Sequence, residues 1–357
     1  METKTLETKY TKLTYKYYDY KDLNIPNPIL EVKRMKIINK LNKKYNINLG
    51  EIFMEGYVKN YNSEDPVLCS KILKKDIKDD NIRQNIIQEL KDNIKKIKEI
   101  CENTKHKKFY IKKRYNNIKN IVELYYQNNK ILMKKHVYDR LVSGYINKSK
   151  YHVDLLIWCL YYRYDELGYL TGLFGSFKPE YYKILNNKYN MEVEGFGSFM
   201  NHTFKYYFGL FYDLEKYFGC LGNFFNGKFM KGFIGINPPF TTYLINKSID
   251  KILQNLEEYN VSFLVILPVW SISERNYLNK VCKTHHLTNY KTDTNNKIFL
   301  KSKYLKEYRL YCKEDFKYYN FGLQRDINYT STNIILVSSD NNESKNIKLD
   351  FIPNKFF

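Results

Sequence analysis

The feature that most constrains the fold of this chain is the tetrapeptide Asn237-Pro238-Pro239-Phe240, which stands between two segments of different periodicity. Residues 232–236 before it form a short apolar run typical of a buried strand, and residues 241–259 after it carry apolar side chains at helical spacing. Residues 261–268 then give the clearest strand pattern in the chain. A strand, a helix and a second strand in this order predict a β-α-β unit, in which the two strands are parallel and the crossover is right-handed.

The rest of the C-terminal half continues this alternation. Glycine, sparse before residue 165, recurs from Gly168 onward, and apolar runs at 191–196 and 333–337 predict two more strands. We therefore predict an α/β fold with a doubly wound, Rossmann-like domain over residues 165–340, followed by a C-terminal tail over 341–357.

The N-terminal half has a different pattern. Residues 1–25 are polar and predict a loosely held arm, and residues 26–164 predict a basic, mainly helical domain. The helices that we expect there cover residues 28–45, 79–101, 116–136, 137–145 and 151–164.

The net charge of +21 favours a polyanionic partner, nucleic acid first. Residues 101–150 concentrate this charge, with thirteen Lys and Arg against three Asp and Glu, and with aromatic residues between them. Basic side chains supply phosphate contacts and aromatic faces can stack on bases. The alternative is a pair of amphipathic helices with its aromatic side in the core and its lysines in water.

The sequence gives little support for a metal-binding, secreted or membrane protein. The six cysteines form no C-x-x-C pair and the histidines have no partners at metal-ligand spacing, so we expect no metal. The N-terminus lacks an apolar signal core, and no stretch approaches the ~20 apolar residues that span a bilayer. We expect a soluble, intracellular protein without membrane partners, cytoplasmic (in a virus factory or virion) if viral and nuclear if cellular.

The tetrapeptide suits the chemistry of a planar exocyclic amine such as that of adenine. This amine is a poor nucleophile, so a catalyst must hold it by its hydrogens and aim it at a methyl donor. The Asn237 oxygen and a carbonyl of the Pro-Pro step can accept the two N–H bonds, and Phe240 can stack on the purine. Proline fixes φ and restricts the residue before it, so the loop is stiff and preorganised.

The methyl donor would be S-adenosyl-L-methionine, bound beyond the carboxyl ends of the strands. The run after the predicted strand at 191–196 has glycines that let a backbone approach a ligand closely. Glu194 or Asp213 could bind the donor's amino group or ribose hydroxyls, or either could be a solvated carboxylate at a strand end.

The segment 171–270 resembles the catalytic core of the phosphorylated-CTD-interacting-factor family, the cap-specific adenosine N6-methyltransferases. The Asn-Pro-Pro-Phe loop is similar residue for residue, and its separation from Glu194 also matches the family. The other motifs that carry the resemblance are Thr171-Gly172-Leu173-Phe174-Gly175-Ser176, Glu194-x-Phe196-x-Ser198-x-x-Asn201, Phe218-Gly219-x-x-Gly222 and Leu267-Pro268-Val269-Trp270.

The resemblance implies that the substrate is capped mRNA whose first transcribed nucleotide is 2′-O-methyladenosine, methylated at N6. The loop would contact both adenine and donor. Donor binding would fall to Glu194, Phe196, Gly197, Ser198, Asn201, Asp213 and Asn237, and substrate binding to Phe240, Thr242, Trp270 and Ser271.

The chain also departs from the family. We expect no WW domain for binding the polymerase tail, because the N-terminus has no paired tryptophans, and Thr241-Thr242 replaces an acidic residue that contacts substrate. Two alternatives therefore stay open: an N6-adenine methyltransferase on DNA or internal RNA, and a catalytically silent RNA- or cap-binding subunit.

Overall fold

The computed structural model describes residues 1–17, 23, 25–58, 64–72, 77–145, 152–172, 175–269, 302–322, 324–339 and 347–352. The helices of these residues are α1 (Pro28–Tyr45), α2 (Leu49–Val58), α3 (Asp80–Thr104), α4 (Lys135–Ser143), α5 (Val153–Glu166), α6 (Tyr169–Gly172), α7 (Pro179–Tyr189), α8 (Tyr212–Glu215) and α9 (Thr242–Glu258). The strands are β1 (Glu2–Glu7), β2 (Lys12–Tyr17), β3 (Lys112–Asn116), β4 (Ile121–Tyr126), β5 (Asn129–Lys134), β6 (Gly175–Ser176), β7 (Met191–Glu194), β8 (Tyr206–Tyr207), β9 (Lys228–Ile236), β10 (Asn260–Pro268), β11 (Leu305–Tyr311), β12 (Tyr318–Asn320), β13 (Arg325–Ile327) and β14 (Thr332–Ser338).

A mixed central sheet organises the fold, with the described strands in the order β1-β2-β9-β10-β14-β11. Strands β8, β7, β9 and β10 run parallel, whereas β14 is antiparallel to both β10 and β11. The edge of β9 opposite β10 is shared: β2 pairs with residues 228–231 and β7 with residues 233–235. The mixed α/β class is confirmed.

The predicted β-α-β unit is confirmed in β9, α9 and β10. Helix α9 begins after Thr241, whose side chain accepts a hydrogen bond from the Leu244 amide at 3.3 Å and so caps the first turn. Its apolar residues recur at helical spacing and are buried against the sheet, and every residue of β10 after Asn260 is buried too. Burial on both faces is what a continuous apolar strand in a parallel sheet requires.

The helix predicted over residues 116–136 is wrong, because these residues lie in the three-stranded antiparallel sheet β3-β4-β5. The buried side chains alternate along the strands, with Val122 and Leu124 on β4 and Ile131 and Met133 on β5. The turn residues Asn120 and Gln127 both adopt a φ of 50°, which ends a helix and suits a tight turn. The predicted helical domain therefore contains a sheet as well.

The predicted polar arm also differs from the structure. Residues 2–17 form the hairpin β1–β2, whose second strand joins the central sheet. Leu13, Tyr15 and Tyr17 are buried because every second residue of β2 faces the core. At the other end of the chain, Ile347, Leu349 and Ile352 are buried in the core of the central sheet rather than extending as a tail.

A buried ion network attaches the N-terminal helices to the region of the central sheet. Arg163 on α5 contacts Glu31 on α1 at 2.6 Å and Asp213 on α8 at 2.8 Å, and all three side chains are at most 1% exposed. Arg34 contacts Glu31 at 2.7 Å and Asp65 at 3.1 Å. Although burial alone would raise the pKa of Glu31, Arg163 and then Arg34 hold it below its usual range. Paired charges of this kind tolerate burial that isolated ones do not.

Within the part of the chain that the structure describes, none of the helices combines the length and apolarity needed to cross a bilayer.

Candidate active site

A cavity of about 460 Å³ lies at the carboxyl ends of β7 and β9. Its wall combines the segment that follows β7, the tetrapeptide that follows β9, and side chains of the N-terminal helices. Its volume is within the range of small-molecule sites.

The topology of the sheet accounts for the position of this cavity. From β7 the chain moves to β8 on one side and then returns to β9 on the other side, so the order of the strands reverses between β7 and β9. In open α/β sheets, ligands bind in the crevice outside the carboxyl ends of the strands at such a reversal.

The Asn237 side chain is held at the cavity with one hydrogen-bonding group unused. Its Nδ2 donates to the Gly175 carbonyl at 3.4 Å. Its Oδ1 is buried and has no hydrogen-bond partner in the structure. A buried acceptor without a donor costs free energy, on the order of 1–3 kcal/mol. The arrangement therefore suits a ligand that brings an N–H group to Oδ1.

The remainder of the tetrapeptide shapes the cavity around this oxygen. Pro238, Pro239 and Phe240 all line it. The Pro239 carbonyl accepts a hydrogen bond from the Thr241 amide at 2.7 Å, which turns the chain into α9. The Phe240 ring meets Tyr318 edge to face, with centroids 5.7 Å apart and an interplanar angle of 76°.

Four of the residues predicted to bind the donor come together at the cavity: Phe196, Gly197, Ser198 and Asn201. Asn201 Oδ1 accepts hydrogen bonds from the Ser198 amide at 2.6 Å and the Ser198 hydroxyl at 3.0 Å. The Gly197 amide donates to the Phe208 carbonyl at 2.8 Å. These bonds fix the turn after β7, so the polar side chains of Ser198 and Asn201 build the wall of the cavity.

Glu194 lies behind this wall and does not line the cavity. Its Oε1 accepts hydrogen bonds from the amides of Thr203 and Phe204. Burial raises the pKa of Glu194 to about 7, although these two amides act in the opposite direction. The structure therefore places this predicted donor ligand in a role of shaping the turn.

Asp213 also lies away from the cavity. Both of its carboxylate oxygens accept hydrogen bonds from Arg163, at 2.8 and 2.9 Å, within the buried ion network. Asp213 is only 1% exposed, and pairing with the Arg163 guanidinium compensates for the burial of its charge. Its position differs from that expected of a residue binding the donor.

The structure describes two of the four residues predicted to bind substrate. Phe240 lines the cavity, whereas Thr242 is exposed on the first turn of α9. Trp270 and Ser271 lie outside the described residues.

Sequence reasoning missed several cavity residues. Met54 and Tyr164 reach the cavity from the N-terminal helices α2 and α5, Tyr169 from α6, and Tyr329 from beyond β13. Gly175 belongs to a motif but had no predicted role; its carbonyl accepts from Asn237 Nδ2, and a Cβ at this position would lie 2.1 Å from the Tyr329 ring, so a larger residue would have to displace that ring. No local pattern marks the others, because contacts between distant segments place them.

The described residues contain no cluster of His, Cys, Asp and Glu that could hold a metal ion. The fold and the site thus define an α/β protein with a cavity at the carboxyl ends of parallel strands and a buried acceptor, Asn237 Oδ1, that has no partner in the described structure.

Comparisons with known proteins narrow this class. Residues 134–304 match the family model described as phosphorylated CTD interacting factor 1 WW domain. An enzyme of Mus musculus, mRNA (2′-O-methyladenosine-N(6)-)-methyltransferase, is 30% identical over 122 residues, which cover 32% of this chain and 17% of the mouse protein. The Homo sapiens protein of the same name is 27% identical over 164 residues, which cover 42% of this chain and 23% of the human protein.

These matches support the assignment of the chain to the phosphorylated CTD interacting factor family. The chain spans about a fifth of the length of these two relatives. The description of the family model names a WW domain, against the expectation that none would be detected. The matched range takes in β7, β9, α9, β10 and the tetrapeptide.

Proposed function

We propose that the chain is an S-adenosyl-L-methionine-dependent methyltransferase that modifies N6 of the cap-adjacent 2′-O-methyladenosine of capped mRNA. In this proposal the parallel strands β8-β7-β9-β10 and their helices form a Rossmann-like methyltransferase domain. The names of the mouse and human relatives support the reaction, and the cavity supports its location.

One observation carries the proposal: the buried Oδ1 of Asn237 has no donor within the protein. The adenine amine would supply that donor. Its second N–H would meet the Pro238 carbonyl, since the Pro239 carbonyl already accepts from Thr241. Two acceptors on a stiff loop would hold the amine in one orientation, which is preorganisation of the kind that lowers a barrier.

The residues present fit a nucleoside-sized methyl donor. Hydrogen bonds between Ser198 and Asn201 fix the wall formed by residues 196–198 and 201, which lines the same cavity as the Asn237 loop. When bound there, S-adenosyl-L-methionine would supply an electrophilic methyl group on sulfonium. Phe240 would stack on the purine, and the apolar cavity would exclude water from the reacting amine.

No protein base is needed in this scheme. With a donor bound, the amine nitrogen would accept the methyl group, and the donor's sulfur would keep the electrons of the broken bond to carbon. The resulting ammonium is acidic and gives up its proton to water. The role of the loop is therefore to orient the amine and stabilise its developing charge.

We expect Asn237→Ala to reduce methyl transfer by about a hundredfold or more, because it removes the acceptor that holds the amine. Asn237→Asp should keep part of the activity, because a carboxylate still accepts an N–H bond although it loses the donor to Gly175. Transfer from labelled donor to capped RNA beginning with 2′-O-methyladenosine measures both. RNA affinity should be unchanged in either variant, and near-normal turnover by Asn237→Ala would refute the role of the loop.

The same assay separates the candidate substrates. Three substrates are offered at equal concentration: capped RNA beginning with 2′-O-methyladenosine, the same RNA without a cap, and single-stranded DNA. We expect labelling of the capped RNA to exceed that of the other two. Equal labelling of capped and uncapped RNA would remove the cap from the proposal, and labelling of DNA alone would replace the substrate class.

A further inference from the structure

We propose that the outer face of the sheet β3-β4-β5 binds the single-stranded RNA that continues from the methylated nucleotide. This inference rests on the proposed function for its choice of RNA, but the binding that it predicts can be measured without catalysis.

The strand register places nine residues on this face in three rows. The first row pairs Lys112, Tyr125 and Lys130 across the strands, and the second pairs Arg114, Glu123 and Leu132. The third row is Asn116, Ile121 and Lys134. Alternate residues point to opposite faces of a strand, so these nine side chains share one surface, which we call the outer face.

The opposite face of this sheet packs against the N-terminal helices. Val122, Leu124, Ile131 and Met133 are buried in the core of the N-terminal helices. Lys113, also on that side, contacts Asp154 of α5 at 3.2 Å and donates to the Tyr138 hydroxyl of α4. The outer face is therefore presented by a rigid support, and its basic residues Lys112, Arg114, Lys130 and Lys134 are exposed.

The chemistry of the outer face matches a single strand of nucleic acid. Four basic residues stand against one acid, Glu123. The half-buried ring of Tyr125 lies on the central strand in the first row, with the Arg114 guanidinium 5.5 Å and the Lys130 ammonium 5.9 Å from its centroid. A ring beside cations offers a stacking surface for a base together with charge for the adjoining phosphates. Single-stranded RNA commonly binds sheets through such aromatic residues.

The position of the outer face favours RNA that also enters the catalytic cavity. Strand β5 leads directly into α4, and Arg140 on α4 donates to the carbonyls of Met200 and His202, next to the turn that lines the cavity. The six residues from Lys134 to Arg140 span about 9 Å of helix. A second cavity of about 390 Å³, lined by Arg140, His202 and Lys205 among others, borders the same turn. The basic residues Lys134 on the outer face and Arg140 and Lys205 at the second cavity thus lie on the side of the turn that borders the first cavity.

The test is direct binding of a fluorescein-labelled, uncapped 12-nucleotide oligouridylate to the full chain, followed by anisotropy at 50 to 200 mM salt. We expect Lys112→Glu/Lys130→Glu to weaken binding by about tenfold or more and to flatten the salt dependence, by roughly 0.7 in log–log slope for each phosphate that the protein no longer neutralises. Tyr125→Ala should weaken binding and leave the salt slope unchanged, because it removes stacking rather than charge.

The matched control is Lys183→Glu/Lys188→Glu on α7, which makes the same change of net charge at exposed positions on a helix that packs against the central sheet. Circular dichroism melting checks that all variants fold. Equal loss of affinity in the control and the outer-face variant would overturn the proposal, since only overall charge would then matter. Equally tight binding of polyglutamate would also overturn it and would point to an acidic protein partner.

The binding and catalytic proposals fail separately. If the outer-face variant loses oligouridylate while no RNA is methylated by any form of the protein, the outer-face assignment stands and the proposed function falls. If the variant binds oligouridylate normally while the wild type methylates capped RNA, the outer-face assignment falls alone.

Discussion

Glu194 and Glu215 are buried carboxyl groups that hold the turn after β7 from behind. Glu194 accepts from the amides of Thr203 and Phe204, and Glu215 accepts from the Phe199 amide at 2.8 Å. Burial raises the pKa of each to about 7. At the residue scale, the wall of the cavity therefore depends on two groups whose protonation changes near neutral pH.

A carboxyl with a raised pKa binds its proton more tightly in the folded chain than in the unfolded chain. Its contribution to stability is present below the unfolded value of 4.5 and is lost as pH rises through about 7. At ~1.4 kcal/mol per pKa unit, Glu194 accounts for roughly 3 kcal/mol of this loss. We expect Glu194→Gln, whose amide oxygen can still accept from both backbone amides, to flatten the decline.

Urea unfolding at pH 5, 6, 7 and 8 measures this effect. The exposed Glu180→Gln provides the control, because it removes a carboxyl without removing a buried one. Curves for wild type and Glu194→Gln that run parallel across this range would contradict the assignment.

The residues that the sequence singled out at 196–198, 201 and 237–240 all line the cavity, and each of these groups lies in one local segment. The sequence did not predict that Glu194 and Asp213 accept hydrogen bonds elsewhere and do not line the cavity. The direction of a strand-end carboxylate depends on which amides or cations its distant neighbours present, here Thr203, Phe204 and Arg163. The periodicity of the sequence does not identify those neighbours.

At the scale of elements, Gly232 is the position where the partner of β9 changes from β2 to β7. Its φ is +120°, a conformation that side chains other than glycine rarely adopt. A Cβ at this position would also lie 2.8 Å from Thr11 Oγ1 and 3.1 Å from Thr11 Cα. The absence of a side chain thus lets the N-terminal hairpin join the strand that leads to the tetrapeptide.

We expect Gly232→Ala to destabilise the chain by roughly 2–4 kcal/mol, combining backbone strain with displacement of the hairpin. Gly168→Ala is a matched control: Gly168 also has a positive φ, of +73°, but a Cβ there meets nothing within 4 Å. It should cost about 1 kcal/mol, the strain alone. Thermal unfolding compares the two, and equal losses would show that the contact with Thr11 does not matter.

Elements with long, one-sided or fully apolar runs were predicted correctly, as α1, α3, α5, α9, β10 and β14 illustrate. The hairpin β1–β2 and the sheet β3-β4-β5 were missed, because their strands have only five or six residues each and mix polar with apolar residues. An alternation of polar and apolar residues over only six positions is a weak signal for a strand in a chain that is rich in lysine and tyrosine throughout. Only the partner surface, β9 for β2 and the helices for β4, fixes which face is buried.

At the scale of the whole molecule, one hydrophobic core extends across the predicted domain boundary at 164/165. The cluster that contains Leu30, Ile97 and Trp158 also contains Phe199 and Phe218. The ion network through Arg163 crosses the same boundary to Asp213. The cavity likewise takes Met54 and Tyr164 from one side and the tetrapeptide from the other.

We therefore expect a fragment of residues 165–357 to lack a cooperative thermal transition and to bind an apolar dye, because its share of this core would face water. Co-expression with residues 1–164 as a separate chain should restore a folded complex. Differential scanning calorimetry and dye fluorescence measure the outcome. A fragment that melts cooperatively on its own would show that the C-terminal half is an independent domain.

The unused oxygen of Asn237 bears on the stoichiometry of the reaction as well as on the choice of substrate. Under the proposed function, Oδ1 and the Pro238 carbonyl receive the two N–H bonds of an unmodified amine. Transfer of one methyl group leaves a single N–H for two acceptors, so one of them loses its partner at a cost of about 1–3 kcal/mol. The loop then holds the product less tightly than the substrate, which favours turnover after one methyl group and disfavours a second transfer to the same nitrogen.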